Sequence, residues 1–220
     1  EADHWGREPL LVRAGSEETF SDVWNVAALD EFVAAGVRHP LVRVIKRGRP
    51  VPLTAYTSHV RLGGRPLQDV IDPQSLARCV ADGATIVAQS LHRTQRSVRH
   101  FVAALGEEIS HPLQANAYLT PAHCVGLARH ADNHDVFVVQ TDGSKTWHLD
   151  TYESIELRAG DVLYIPAHWR HQAETTNQFS LHLTVGVLSV TFGDLVRRAL
   201  DDGPAELRQP LPLDHRRSAS

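Results

Sequence analysis

Two short segments hold the residue types that could do chemistry together. The first is Gly126 to Trp147, which reads as a strand, a turn at Asp142-Gly143 and a second strand, with His130 and Asp132 two residues apart. Side chains alternate across a pleated strand, so on this reading both point to one face and could bind one metal ion. The second, Gly160 to Gln172, reads as a turn and strand ending in a tight loop that presents His171, with His168 as a near neighbour. One carboxylate and two imidazoles would occupy one face of an octahedral ion and leave three positions open, the arrangement of non-heme Fe(II) oxygenases. His134 shares the parity of His130 and Asp132 and is a further candidate ligand or cleft residue. The chain shows no convincing Ser-His-Asp set and no cysteine nucleophile.

The elements that must position these residues fall into two halves. In the N-terminal half, Pro9 precedes a short strand, and apolar spacing predicts a helix over 21–36, stopped by Gly36. A strand is expected at 41–45, a helix over 72–82 closing at Gly83, a buried strand at 84–88 and an amphipathic helix over 94–105. From Leu113 the pattern becomes strands and turns, with strands expected at 114–120, 125–140, 145–149, 154–157, 161–165, 171–174 and 179–190. Short strands at this spacing predict a mostly β protein with flanking helices, built on a jelly-roll core. A helix over 191–203 stopped by Gly203-Pro204 and a disordered tail past Asp214 complete the reading. The expected organisation is a single domain over 1–212, with N-terminal helices (1–112), a jelly-roll core (113–190), a C-terminal helix (191–203) and a flexible tail (213–220).

Composition narrows the function classes. Two hundred and twenty residues suffice for one domain with a sizeable core. A net charge of -4 gives no general basic field for nucleic acid or membrane, although an acidic protein can still bind a basic peptide. Cys79 and Cys124 lie in no CxxC pattern, which argues against a disulfide framework or zinc finger and fits a reducing cytoplasm. No apolar run is long enough to span a bilayer, and no signal-peptide pattern is seen. The cations are twenty arginines and only two lysines, Lys46 and Lys145, and the second sits inside the first metal segment.

The spacing His130-x-Asp132 to His171, with Asp135-Val-Phe-Val-Val-Gln140 and Lys145-x-Trp147 between and Gly160-Asp-x-Leu-Tyr-x-Pro166 before the last His, resembles the cupin-type JmjC oxygenases. Within them it is similar to the ribosomal-oxygenase branch, over Trp5 to about Pro212. The resemblance implies a double-stranded β-helix (cupin) fold and an Fe(II)- and 2-oxoglutarate-dependent hydroxylase that consumes O2. Its metal ligands would be His130, Asp132 and His171. It implies that Lys145 pairs with the far carboxylate of 2-oxoglutarate, which a buried dianion requires, and that Asn116 and Thr184 help to hold the cosubstrate. Tyr118, His134 and Asp135 would meet the substrate, a peptidyl residue (Arg- or His-like) or an amino-acid-like molecule.

Thr120 and His182 read equally as pocket or structural residues, and Trp147, Tyr164 and Phe179 read as core. The stretch between Trp147 and Gly160 is short for the branch, which implies a more open entrance. Residues 206–212 resemble the lead into the branch's dimerisation region, but the oligomeric state stays open. Competing readings are a cupin enzyme that does without 2-oxoglutarate, a non-catalytic metal-binding cupin, and demethylation in place of hydroxylation.

Overall fold

The computed structural model describes residues 4–150, 153–204 and 209. It divides into two compact units, residues 1–188 and 189–220.

The larger unit begins with strand β1 (Leu10–Val12) and helix α1 (Val26–Ala34). The Asn25 side chain caps α1 by accepting from the Ala28 amide at 2.9 Å, so the helix starts later than its apolar spacing suggests. Then come β2 (Val42–Lys46), β3 (Arg49–Pro50), β4 (Thr57–Leu62) and β5 (Arg65–Ile71). Helix α2 (Pro73–Ala81), capped by Asp72 onto Ser75, leads to β6 (Thr85–Ala88), α3 (Leu91–Thr94) and α4 (Arg96–Ile109). The barrel strands are β7 (Leu113–Thr120), β8 (Val136–Leu149), β9 (Ile155–Arg158), β10 (Val162–Ile165), β11 (His171–Glu174) and β12 (Ser180–Val187).

In the smaller unit, α5 (Phe192–Asp201) opens with a capping box between Thr191 and Asp194. The tail beyond Asp214 lies outside the described residues.

Every strand pairing is antiparallel, and the main sheet runs β1-β10-β8-β12-β7-β6-β2-β3. The second half of β8 leaves that sheet to pair with β9 and β11. Two facing layers joined through one strand make the double-stranded β-helix. Alternation explains the layering. On β7, Leu113, Ala115 and Ala117 face the helices, together with Leu181, Leu183, Val185 and Val187 of β12. The intervening Gln114, Asn116 and Tyr118, with His182, Thr184 and Gly186, line a cavity between the layers. A second apolar cluster of Val136, Val138, Trp147, Leu157 and Leu163 fills the rest of the barrel.

Four expectations change. Residues 125–135 are not a strand, because a run of Arg129, His130, Asp132, Asn133 and His134 offers no alternating apolar face. That stretch is tied to the sheet at isolated points, the bridges of Val125 with Glu174 and His130 with His171 and the Val187 amide donating to the Asp135 carbonyl at 2.8 Å. Asp142-Gly143 is no hairpin turn, since β8 passes straight through it and its two halves pair with different strands. The β4–β5 hairpin, turning at Gly63-Gly64, went unanticipated because the residues around its turn are solvent-exposed and carry no periodic apolar signal. Phe179, read as core, is 39% exposed.

Gly143 marks where β8 changes sheets. Its φ is +64°, and a Cβ there would lie 1.9 Å from the Phe179 carbonyl oxygen. Gly143→Ala is expected to lose roughly 2–5 kcal/mol of stability, from backbone strain plus a clash that only main-chain movement relieves. Urea unfolding of the purified variant checks this, and an unchanged midpoint would show that the strand can cross between sheets by another route.

Candidate metal centre

His130 and His171 reach one another through the main chain. The His130 amide donates to the His171 carbonyl at 3.1 Å and the His171 amide donates back at 2.8 Å, a one-pair antiparallel bridge inside an otherwise irregular segment. Asp132 is pinned in turn, because its carbonyl accepts from the His168 amide at 2.7 Å. His168, with φ of +67°, shapes the turn and does not join the ligand set.

The ligating atoms of His130, Asp132 and His171 all lie within 4.8 Å of one another. The Nε2 of His171 is 3.6 Å from one Asp132 oxygen, and the Nε2 of His130 is 3.9 Å from the other. Each ring's Nδ1 donates to a backbone carbonyl, His130 to Ala128 at 2.8 Å and His171 to Trp169 at 2.9 Å. This fixes both tautomers with Nε2 bare and turned to the common point, the usual second-layer support of a metal-bound histidine. Burial, reinforced by the neighbouring His130, holds His171 below the ordinary histidine range and so in its neutral, ligating form. Three donors of this kind fit Fe(II) and leave room for exchangeable ligands.

The triad opens onto a cavity of ≈ 270 Å³. Across it lies Lys145, only 3% exposed, whose Nζ donates to the Thr120 hydroxyl at 2.9 Å. Thr120 is itself fully buried and bonded to Thr85 at 3.2 Å. Among the described residues no carboxylate pairs with Lys145, and burial alone pushes its pKa down to about 7. A buried cation without an anion is costly. The cavity thus supplies what a carboxylate-bearing ligand needs at its far end. Gly126 keeps the approach open, since a Cβ there would sit 3.1 Å from Nζ.

His182 is buried against this cation, and burial together with the Lys145 charge drives its pKa well below the ordinary value. Its ring stacks on Tyr118 at 5.2 Å and meets Trp147 edge-on at 5.5 Å.

Of the residues singled out from the sequence, His130, Asp132, His171, Lys145, Asn116, Thr184, Tyr118 and His134 all line the cavity. Asn116 spends its carbonyl on the Ser90 amide at 2.9 Å, which leaves its NH2 as the group offered to a ligand. His134 fits because residue 186 is glycine: a Cβ there would come within 2.6 Å of the His134 Nε2.

The fold turns Asp135 away. Its carboxylate accepts from the Tyr164 hydroxyl at 2.9 Å and the Ala167 amide at 2.7 Å, so it anchors the turn ahead of His171 and does not line the cavity. Arg43, Thr85, Gln114, Gly126 and Leu127 line it without having been anticipated. Gln114 shares the parity of Asn116 and was there to be found. Arg43 and Thr85 arrive through pairing of strands distant in sequence.

A family model described as JmjC domain matches residues 90–156 and 149–195. Ribosomal oxygenase 1 of Gallus gallus is 28% identical over 244 residues, covering 96% of this chain and 39% of that protein. The bifunctional lysine-specific demethylase and histidyl-hydroxylase NO66 of Dictyostelium discoideum is 25% identical over 245 residues, covering 96% of this chain and 46% of that protein. The chain therefore spans less than half the length of these two relatives. Among solved structures, YcfD, a ribosomal oxygenase from Escherichia coli in complex with cobalt and 2-oxoglutarate, superposes with a TM-score of 0.61 at 17% identity. That likeness covers 96% of this chain and 57% of that one. The domain match takes in β7, β8, β11 and β12, the strands that carry most of the cavity lining, and over them the chain is similar to JmjC-domain oxygenases.

Proposed function

We propose that this chain hydroxylates an unactivated C–H bond of a peptidyl or amino-acid-like substrate, using Fe(II), 2-oxoglutarate and O2. The observation that carries the reading is the buried Lys145, which pairs with no carboxylate among the described residues, in the same cavity as a 2-His-1-carboxylate triad. A cupin that used its metal alone would have no reason to hold a lysine where burial costs so much.

Each residue has a part. His130, Asp132 and His171 would hold Fe(II) through Nε2, one carboxylate oxygen and Nε2. Lys145, steadied by Thr120, would pair with the distal carboxylate of 2-oxoglutarate, and the Asn116 amide and Thr184 hydroxyl, register partners across β7 and β12, would orient it. Bound iron and 2-oxoglutarate supply the oxidising power, with O2 and 2-oxoglutarate consumed and succinate, CO2 and a hydroxylated product formed. The Tyr118–His182–Trp147 stack walls the cavity and limits water near the reacting centre. Tyr118 and His134, which line the cavity, would meet the substrate. No general acid or base is called for. The relatives are named ribosomal oxygenase and lysine-specific demethylase and histidyl-hydroxylase, and names that refer to lysyl and histidyl residues favour a peptidyl target here.

The test is anaerobic titration of Fe(II)-loaded protein with 2-oxoglutarate, watching for the visible charge-transfer band of the chelate, followed by a succinate assay in air. A saturable band with succinate release is the expected result. Bound iron without a band would sink the 2-oxoglutarate reading.

A further inference from the structure

Arg43 sits on the inner face of the barrel by register. It lies opposite Val87, which lies opposite Tyr118, which lies opposite His182, so one cross-strand row runs from the arginine to the wall of the metal cavity. Residues directly opposite in a sheet share a face, and Arg43 lines the cavity. Unlike Lys145 it is exposed, so it stands at the mouth.

The turn after it continues the same charge. Arg47 and Arg49 flank Gly48, where a Cβ would be 2.9 Å from that of Ala128, so this turn abuts the segment that carries His130 and Asp132. From Leu41 to Arg65 the chain has Arg43, Lys46, Arg47, Arg49, Arg61 and Arg65 and no Asp or Glu, in a protein whose net charge is -4. Lys46 is taken by Asp82. Among the described residues, Arg43 and Arg49 enter no ion pair within 4.0 Å.

Inside the cavity the balance of charge points the same way. Among the described residues the only carboxylate in the lining is Asp132, which the metal would claim. With Lys145 paired to the cosubstrate, Arg43 is, among the described lining residues, the one permanently charged side chain left to face a substrate. A guanidinium or ammonium entering here would meet a like charge and find no free acid, a mismatch costly at close range.

We propose that the substrate of this site is an acidic segment of a protein or peptide, with Arg43 binding a carboxylate beside the reacting residue and Arg47 and Arg49 holding the acidic chain along the rim. This deepens the hydroxylase reading and rests on it. The ≈ 270 Å³ cavity must also hold the cosubstrate, so a peptide substrate would insert no more than one side chain and its flanks would pass over the basic rim. Bidentate pairing of a guanidinium with a carboxylate gives this contact its geometry, which lysine would not reproduce.

The test uses whole protein loaded anaerobically with Mn(II) and 2-oxoglutarate, with 2-oxoglutarate binding measured first by calorimetry. Fluorescent short peptide pools with the same randomised centre and Glu-, Arg- or Ser-rich flanks are then titrated, together with a short single-stranded RNA. The acidic pool is expected to bind about tenfold or more tighter than the neutral pool at low salt. Arg43→Glu should remove that preference, while Arg43→Lys should keep part of it. A neutral or basic pool binding as tightly as the acidic one, or an Arg43→Glu variant with the preference intact, overturns the proposal. RNA outcompeting every pool overturns it in favour of a nucleic-acid rim. Absent 2-oxoglutarate binding would overturn the hydroxylase reading instead, and the two failures stay distinct because the cosubstrate is measured apart from the peptides.

Discussion

Lys145→Met should make the cosubstrate-free protein more stable and at the same time weaken 2-oxoglutarate binding by roughly a hundredfold or more. The two effects have one origin. In the free protein Lys145 is 3% exposed, its ammonium bonded to Thr120 and, among the described residues, to no carboxylate, so an apolar side chain of similar length suits the site better. In the complex that same group would be the partner of a buried carboxylate, and removing one member of a buried pair leaves the other stranded.

The pH dependence has a definite sign. The folded-state pKa of Lys145, about 7, lies below its ordinary value of 10.5, so between those limits the unfolded chain holds the extra proton. The stability of the free protein should therefore gain a rising contribution as pH climbs from about 7 to 10.5, and the full cost of the charged lysine should be felt below 7. Cosubstrate binding needs the charged form, so above pH 7 it must take up a proton and should weaken by up to about tenfold per pH unit. In Lys145→Met both slopes disappear. Thermal melts and 2-oxoglutarate calorimetry across pH 6–10 read both at once. A variant that is less stable when free and still binds 2-oxoglutarate would remove Lys145 from the site.

Asp132→Ala should abolish tight metal binding and reduce hydroxylation to background. Changing a residue that merely orients a metal ligand costs about 10–100-fold in affinity, so loss of the only anionic ligand should cost at least the upper figure. Metal at a hundredfold excess over its dissociation constant should stabilise the wild type by about 2.7 kcal/mol, and that increment should vanish in Asp132→Ala. Metal analysis after dialysis and melts with and without Mn(II) check this. His134→Ala is the informative companion. If Asp132→Ala still binds metal and the double variant does not, His134 is a ligand in reserve. If His134→Ala alone loses the ion, the triad is misassigned.

The barrel and the metal triad were legible in the sequence for different reasons. The strands announced themselves by alternation, and β7 shows why that works: Asn116 and Tyr118 face a polar cavity while Ala115 and Ala117 face helices, so the two-residue period is written in chemistry. The triad was legible through residue type and order, even though the local reading beneath it failed. His130 and Asp132 converge because the segment is tied down at isolated points, and strand parity has no part in it.

What escaped has a common cause. Arg43 reaches the cavity through the pairings of β2 with β6 and β6 with β7, and no local period reports partners so far apart. Gly143 looked like a hairpin turn because Asp-Gly between apolar runs ordinarily is one. Only the separate partners of the two halves of β8 reveal that the chain goes straight on. Asp135 looked available to a ligand because a carboxylate beside a metal motif usually is, and its engagement by Tyr164 and Ala167 depends on residues some thirty positions away.

The main-chain bridge between positions 130 and 171 has an evolutionary meaning. It is made wholly of amide and carbonyl groups, so it holds whatever side chains stand there. The scaffold thereby separates where a ligand is placed from what that ligand is. A lineage built on it can exchange one donor for another by point substitution, altering metal preference or silencing the chemistry, without first having to rebuild the loop that aims the side chains.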